Sequence, residues 1–161
     1  LCLGQTDLAL SEQGIEQAQS AAASLTGVEA IYTSDLKRAV HTAAIIGERL
    51  GIDVYEAPAL REIHMGIWDN RPFCEIKSRY REAYEQRGKD ILHYRVEGGE
   101  NFAEVALRAQ NAIDKIRQTD CRDLLFITHL GVIRSLLHRS GRLDEQDFLN
   151  FKLAYGDFIH Y

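Results

Sequence analysis

The chain has 161 residues, 27% of them charged, with a formal net charge of −5, a size that suits one domain with a sizeable core. The acidic balance excludes a nonspecific nucleic-acid binder, which needs a basic face, but it leaves room for a cationic pocket. Cys2, Cys74 and Cys121 lack C-x-x-C spacing, no apolar run approaches membrane-spanning length and no signal peptide is visible, so free thiols and a cytoplasmic location are expected.

Residues 1–7 lack an initiator methionine and read as a loop entered midway. Ser11 is placed to cap a helix with apolar positions Ile15, Ala18, Ala22 and Leu25, spaced by three and four. A strand is expected over 28–33. Ser34 then stands at the expected N-cap of a helix lined by Leu36, Ala39, Val40, Ala43, Ile46 and Leu50 and closed by Gly51. A brief strand over 53–55 precedes Pro58. The charged segment 73–84 carries Phe73, Ile76, Tyr80 and Tyr84 at loosely helical spacing. Gly98 and Gly99 read as a turn. Asn101 with Glu104 forms a capping-box start for a helix with Phe102, Val105, Ala106, Ala109, Ile113 and Ile116 on one face.

The stretch 124–137, LLFITHLGVIRSLL, is the most telling. An apolar strand over 124–128 stops at His129, and a helix over 132–140 starts after Gly131 and ends before Gly141. Ligands of open α/β sheets sit at the carboxyl ends of strands. Ser34 and Arg38 follow the earlier strand in the same way, so two polar devices face one sheet edge and suggest an anion site. One or two final strands are expected over 151–161. Strands alternating with helices predict an α/β fold with three α/β/α layers and a mostly parallel sheet.

Five segments carry a resemblance: LGQTDLALSEQGIEQA (3–18), SDLKRAVHTA (34–43), ALREIHMGIWDN (59–70), EGGENFAEVALR (97–108) and FITHLGVIRSLL (126–137). In that order they resemble the histidine phosphatase superfamily, over nearly the whole chain. Its short α-ribazole phosphatase-type members and its cofactor-dependent phosphoglycerate mutases are the members the chain resembles most. The resemblance implies the phosphoglycerate mutase-like fold. The family's signature tripeptide, Arg-His-Gly, whose histidine becomes phosphorylated, occurs nowhere in the chain. The resemblance places that tripeptide before Leu1, on a strand interior to the family's sheet. The expectation is a single histidine phosphatase-like domain over 1–161, cut at both ends and lacking that first strand and part of its C-terminus.

The candidate site residues follow from the resemblance and from the chemistry of phosphoryl transfer, which needs charge neutralisation and a proton donor. Arg38 offers a planar fork suited to phosphate, although alone it reads as a solvated helix arginine. His129 is expected as a second cationic donor, against the alternative of a satisfied core histidine. Glu62, between apolar Leu60 and the apolar-aromatic 63–68, is expected to be raised in pKa by partial burial and to act as general acid. The alternative is a salt bridge to Arg61. Leu3, Gly4 and Leu130 match family positions whose backbone amides touch phosphate. His41 is expected at the rim, and His64 either lines the pocket or lies on the surface. His93, His138 and His160 show no ligand spacing.

The resemblance implies a phosphomonoester hydrolase with a phosphohistidine intermediate, acting on a small phosphorylated metabolite, with no metal and no organic cofactor. A phosphoglycerate mutase is the alternative. It is disfavoured because Ile63, His64 and Met65 follow Glu62 and because 69–97 is short with only Pro72. A noncatalytic phospholigand-binding relative is a third reading. Lys77, Arg79, Arg81, Arg87 and Lys89 in the segment 69–97 either meet further negative charge or form a solvated face. No membrane or nucleic-acid partner is expected, and a homodimer is left open.

Overall fold

A computed structural model describes residues 1–161. Its main elements are helix α1 (Glu12–Ser24), strand β1 (Ala30–Thr33), helix α2 (Lys37–Leu50), strand β2 (Val54–Glu56), helices α3 (Phe73–Arg79), α4 (Arg81–Lys89) and α5 (Phe102–Ile116), strand β3 (Leu124–Ile127) and helix α6 (Leu130–Arg139). The strands form one parallel sheet in the order β2-β1-β3. The α/β class is as the alternation of elements requires. None of the helices is long and apolar enough to cross a membrane.

The strand period of two sorts side chains onto the two faces of the sheet. Ile31, Leu125 and Ile127 meet Ala22 of α1 and Ala43 and Ile46 of α2. Tyr32 and Phe126, stacked with centroids 6.0 Å apart, turn to the other face. There they pack against a larger cluster containing Trp68, Val105, Val132 and Leu136. Helices therefore cover both faces, giving the three layers.

Local caps behave as the sequence demands. Ser11 Oγ accepts the Gly14 N–H at 3.1 Å, and Asn101 and Glu104 form a reciprocal capping box. Gly51 ends α2 with φ 69°. Ser34, however, does not cap α2. Its first-turn amide, at Lys37, is taken by Asp7 Oδ1 at 2.7 Å, from a residue 30 positions away. The segment 73–84 divides, because α3 ends at Arg79 and α4 begins at Arg81.

The strands expected over 151–161 do not form. The carbonyls of Phe151, His160 and Tyr161 accept from the guanidinium groups of Arg134, Arg142 and Arg117. Side-chain donors thus satisfy peptide groups that a sheet ladder would otherwise have met.

Candidate active site

The carboxyl ends of β1 and β3 bring Ser34 and His129 together. Parallel register pairs Thr33 with Ile127, so the residues that follow emerge on the same edge. His129 Nε2 lies 2.9 Å from Ser34 Oγ, which leaves Nδ1 as the ring nitrogen free for a ligand. Ser34 is fully buried and also accepts the Leu36 N–H at 3.3 Å. Burial, reinforced by the charges of Arg38 and Arg108, pushes His129 down to about 3. The imidazole is therefore neutral at pH 7. A cationic His129 therefore requires an anion beside it, because burial first and the site's arginines second disfavour a further positive charge.

Glu62 stands on the other side of this edge. Its Oε1 accepts the Ile63 N–H at 2.8 Å and its Oε2 the Gly131 N–H at 3.1 Å. The second bond ties it to the first turn of α6, where helix amides point outward. Dense packing around the carboxyl raises its pKa, against the opposing pull of those two amides and of Arg38 and Arg108. The upward shift expected from the sequence is present. The alternative salt bridge is not, since Arg61 instead grips Asp35 through two bonds of 2.6 and 2.5 Å.

A polar clamp fixes the backbone around Glu62. Arg108 donates to the carbonyls of Ala59 at 2.6 Å and Glu62 at 3.1 Å. It also pairs with Glu100 at 2.7 and 3.0 Å, and Glu100 accepts the His64 N–H at 2.9 Å. Gln5 Nε2 adds a second bond to the Glu62 carbonyl at 3.0 Å. His64 turns its Nδ1 to the Gly66 N–H at 3.0 Å, so it shapes this loop. The two loops meet backbone to backbone at glycines. A Cβ on Gly66 would lie 2.0 Å from the Glu97 carbonyl, and one on Gly99 would lie 2.4 Å from that of His64.

Arg38 projects from the first turn of α2. Its Nη1 and Nη2 donate to the carbonyls of Thr6 at 3.0 Å and Gly4 at 2.9 Å. The carboxylate of Asp69 also holds this loop. It accepts the amides of Gly4 and Gln5 at 2.9 Å and of Thr6 at 3.2 Å, together with the Thr6 hydroxyl at 3.0 Å. The Gly4 amide, expected to face phosphate, is thus already engaged: a carboxylate fills the row of amides. Leu3 is 43% exposed beside it, and Leu130 opens α6 next to Gly131. His41 is exposed on α2.

Arg38, Glu62 and His129 therefore share one neighbourhood, in which Arg38 and Arg108 act electrostatically on both of the others. It combines guanidinium donors, a neutral imidazole, a helix amino terminus and a carboxyl inclined to hold its proton. Such a set receives an anion and delivers a proton beside it. Gln5, Asp69, Glu100 and Arg108 were not anticipated. Glu100 and Arg108 lie within the segment 97–108, and their pairing across the start of α5 was the available signal.

Residues 1–160 match the model of the family described as histidine phosphatase superfamily (branch 1). The adenosylcobalamin/alpha-ribazole phosphatase of Salmonella typhimurium is 26% identical over 156 residues, 95% of this chain and 77% of that protein. A Yersinia pestis protein named "Probable phosphoglycerate mutase GpmB" is 34% identical over 113 residues, 69% of this chain; the match spans 53% of that protein, about half its length. The crystal structure of the alpha-ribazole phosphatase from Shigella flexneri superposes with a TM-score of 0.84 at 26% identity, covering 97% of this chain and 79% of that one.

Proposed function

The chain belongs to the histidine phosphatase superfamily, and from that premise we propose that it supplies the charge-holding and proton-transfer groups of a phosphomonoester hydrolase working through a phosphohistidine intermediate. The observation that carries this reading is the Glu62 carboxyl, raised by burial and held by the Ile63 and Gly131 amides, in the same neighbourhood as Arg38 and His129.

In the first step a nitrogen of the Arg-His-Gly histidine, a tripeptide not found in residues 1–161, attacks phosphorus. The bond from phosphorus to the ester oxygen breaks, and Glu62 gives its proton to the departing oxygen. In the second step Glu62, now a carboxylate, takes a proton from water. The water oxygen then attacks phosphorus, the phosphorus–nitrogen bond breaks, and inorganic phosphate and the free histidine are released. Arg38 spends two of its five donors on loop carbonyls, leaving others for the equatorial oxygens. A phosphoryl dianion beside His129 favours the imidazolium, so His129 takes up a proton as the anion arrives. Amides at Leu130 and neighbouring positions in the first turn of α6 add dipolar stabilisation.

The substrate is a small phosphorylated metabolite. Alpha-ribazole phosphate is the first to try, because the Salmonella and Shigella relatives are named for it. Three free cysteines support a reducing compartment, the cytoplasm. The test uses the protein as its complete gene encodes it. Hydrolysis of 4-nitrophenyl phosphate is expected, with a protein-bound phosphate that survives alkali and is lost in acid. Turnover without such a species would overturn the phosphohistidine route. Interconversion of phosphoglycerates outpacing phosphate release would favour the mutase.

A further inference from the structure

The residues that carry Glu62 into the site lie outside any strand or α-helix, and side chains hold their backbone. Pro58–Leu60 form a single 3-10 turn, and no backbone amide reaches the carbonyls of Ala59, Leu60 or Glu62. Arg108 donates to the first and the third of these, and Gln5 shares the third. Thr128 Oγ1, next to His129, donates to the second at 2.8 Å. Peptide groups removed from water need such partners. Arg108, on α5, alone meets two of the three carbonyls.

The Arg108 guanidinium is itself committed. Its Nε and Nη2 donate to the two carboxylate oxygens of Glu100, so four of its five N–H groups are used within the protein. Arg38, by contrast, spends two. Glu100 accepts the His64 N–H and gives its own N–H to the His64 carbonyl at 2.8 Å. The chain is thus held on both sides of the residue that is to move a proton. A carboxyl meets a leaving oxygen only from a well-placed main chain, and a misplacement of about 1 Å can cost roughly a hundredfold in rate. The charge of Arg108 acts at the same spot, where it opposes the burial that raises Glu62.

The geometry points to Arg108 as a positioning residue for proton transfer: locked by Glu100, it aims the Glu62 carboxyl by gripping the peptide carbonyls of residues 59 and 62. This role rests on the phosphatase reading and adds to it a residue that acts through Glu62. Arg108 touches neither the phosphoryl group nor the leaving oxygen.

The experiment uses the protein encoded by the complete gene, with Arg108→Gln, Arg108→Lys and Glu100→Gln made singly and Arg108→Gln also combined with Glu62→Gln. Phosphorylation rates are measured in a single turnover with an alkyl phosphate and with 4-nitrophenyl phosphate. Arg108→Gln is expected to lose about tenfold more on the alkyl ester, which needs the proton, than on the nitrophenyl ester. Combined with Glu62→Gln, the same change should cost no more than about twofold on either ester, because the group it serves is gone. Arg108→Lys keeps the charge without the fork and should fall between wild type and Arg108→Gln. A general loosening of the fold would lower both esters alike and add in full to Glu62→Gln; either result overturns the proposal. Should Arg108→Gln not fold, Glu100→Gln carries the same test, since it keeps the shape and loosens the guanidinium. Its loss should be about threefold larger on the alkyl ester, and equal losses overturn the proposal. If the wild type turns over neither ester, the phosphatase reading alone fails, and amide exchange decides on Arg108. The Glu62 carboxyl accepts the Ile63 and Gly131 amides, so faster exchange of these two in Arg108→Gln, with the body of α6 still protected, upholds the clamp. Unchanged protection, or loss spread through α6, overturns it.

Discussion

A methyl group on Gly131 would stand 2.2 Å from Oε1 of Glu62 and 3.2 Å from the Phe102 ring. The carboxyl occupies the space that any other residue at 131 would fill, and it accepts the amide of the same residue. Gly131→Ala therefore pushes the end of a flexible side chain aside. It leaves the fold close to intact, because alanine also favours a helix. The expected result is a melting temperature within a few degrees of wild type, with hydrolysis reduced about tenfold or more. A variant as active as wild type would show that the position of the Glu62 carboxyl does not matter.

Arg38 holds two carbonyls of the opening loop, Gly4 and Thr6, and the proposed chemistry also asks it to meet phosphate oxygens. Only a planar fork with five donors can do both. Arg38→Lys should therefore be nearly as damaging as Arg38→Ala, each lowering kcat roughly a hundredfold or more. The measurement is steady-state hydrolysis of 4-nitrophenyl phosphate by both variants. Substantial activity in Arg38→Lys would leave Arg38 as a loop-holding residue only.

What the sequence made legible was mostly what acts over short distances along the chain. The Ser11 cap, the Asn101–Glu104 box and the Gly51 stop each join residues within one turn, so their spacing could be read directly. The ends of β1 and β3 were legible because an apolar run stopping at a polar residue marks the edge of a sheet. The Asp7 cap of α2 and the Asp69 carboxylate under Gly4 were not, as 30 and 65 residues separate the partners. The downward pKa shift of His129 was not legible for a related reason. Burial produces most of it, and the arginines that add to it arrive from α2 and α5, so only the fold brings these causes together.

That depressed imidazole and the raised carboxyl make stability depend on pH in opposite senses. His129 titrates at about 3 when folded, against an ordinary value of 6.5. Below pH 6.5 the unfolded chain therefore binds the proton first, and stability falls as pH drops toward 3. Glu62, raised above its ordinary 4.5, contributes stability below that value and loses it as pH rises through the folded pKa. Replacing His129 by Asn should remove its share of the acid-side loss, on the order of 1–2 kcal/mol between pH 7 and 5. Urea unfolding of the 161-residue chain at both pH values checks this. An unchanged difference between pH 7 and 5 in the variant would mean that His129 titrates normally.

Glu62→Gln separates a proton donor from a structural carboxyl. An alkyl phosphate leaves as a basic alkoxide and depends on protonation, whereas nitrophenolate leaves largely unaided. Glutamine preserves the shape and can accept one of the two amides that Glu62 now accepts, from Ile63 and Gly131. It has no proton to transfer. The variant's loss of phosphorylation rate should be about tenfold or more larger with an alkyl ester than with 4-nitrophenyl phosphate. Single-turnover measurement on the protein encoded by the complete gene keeps dephosphorylation, in which Glu62 also acts as base, from masking the first step. The same factor for both esters would remove Glu62 from proton transfer and leave it as the residue that fixes the start of α6 against the loop 60–66.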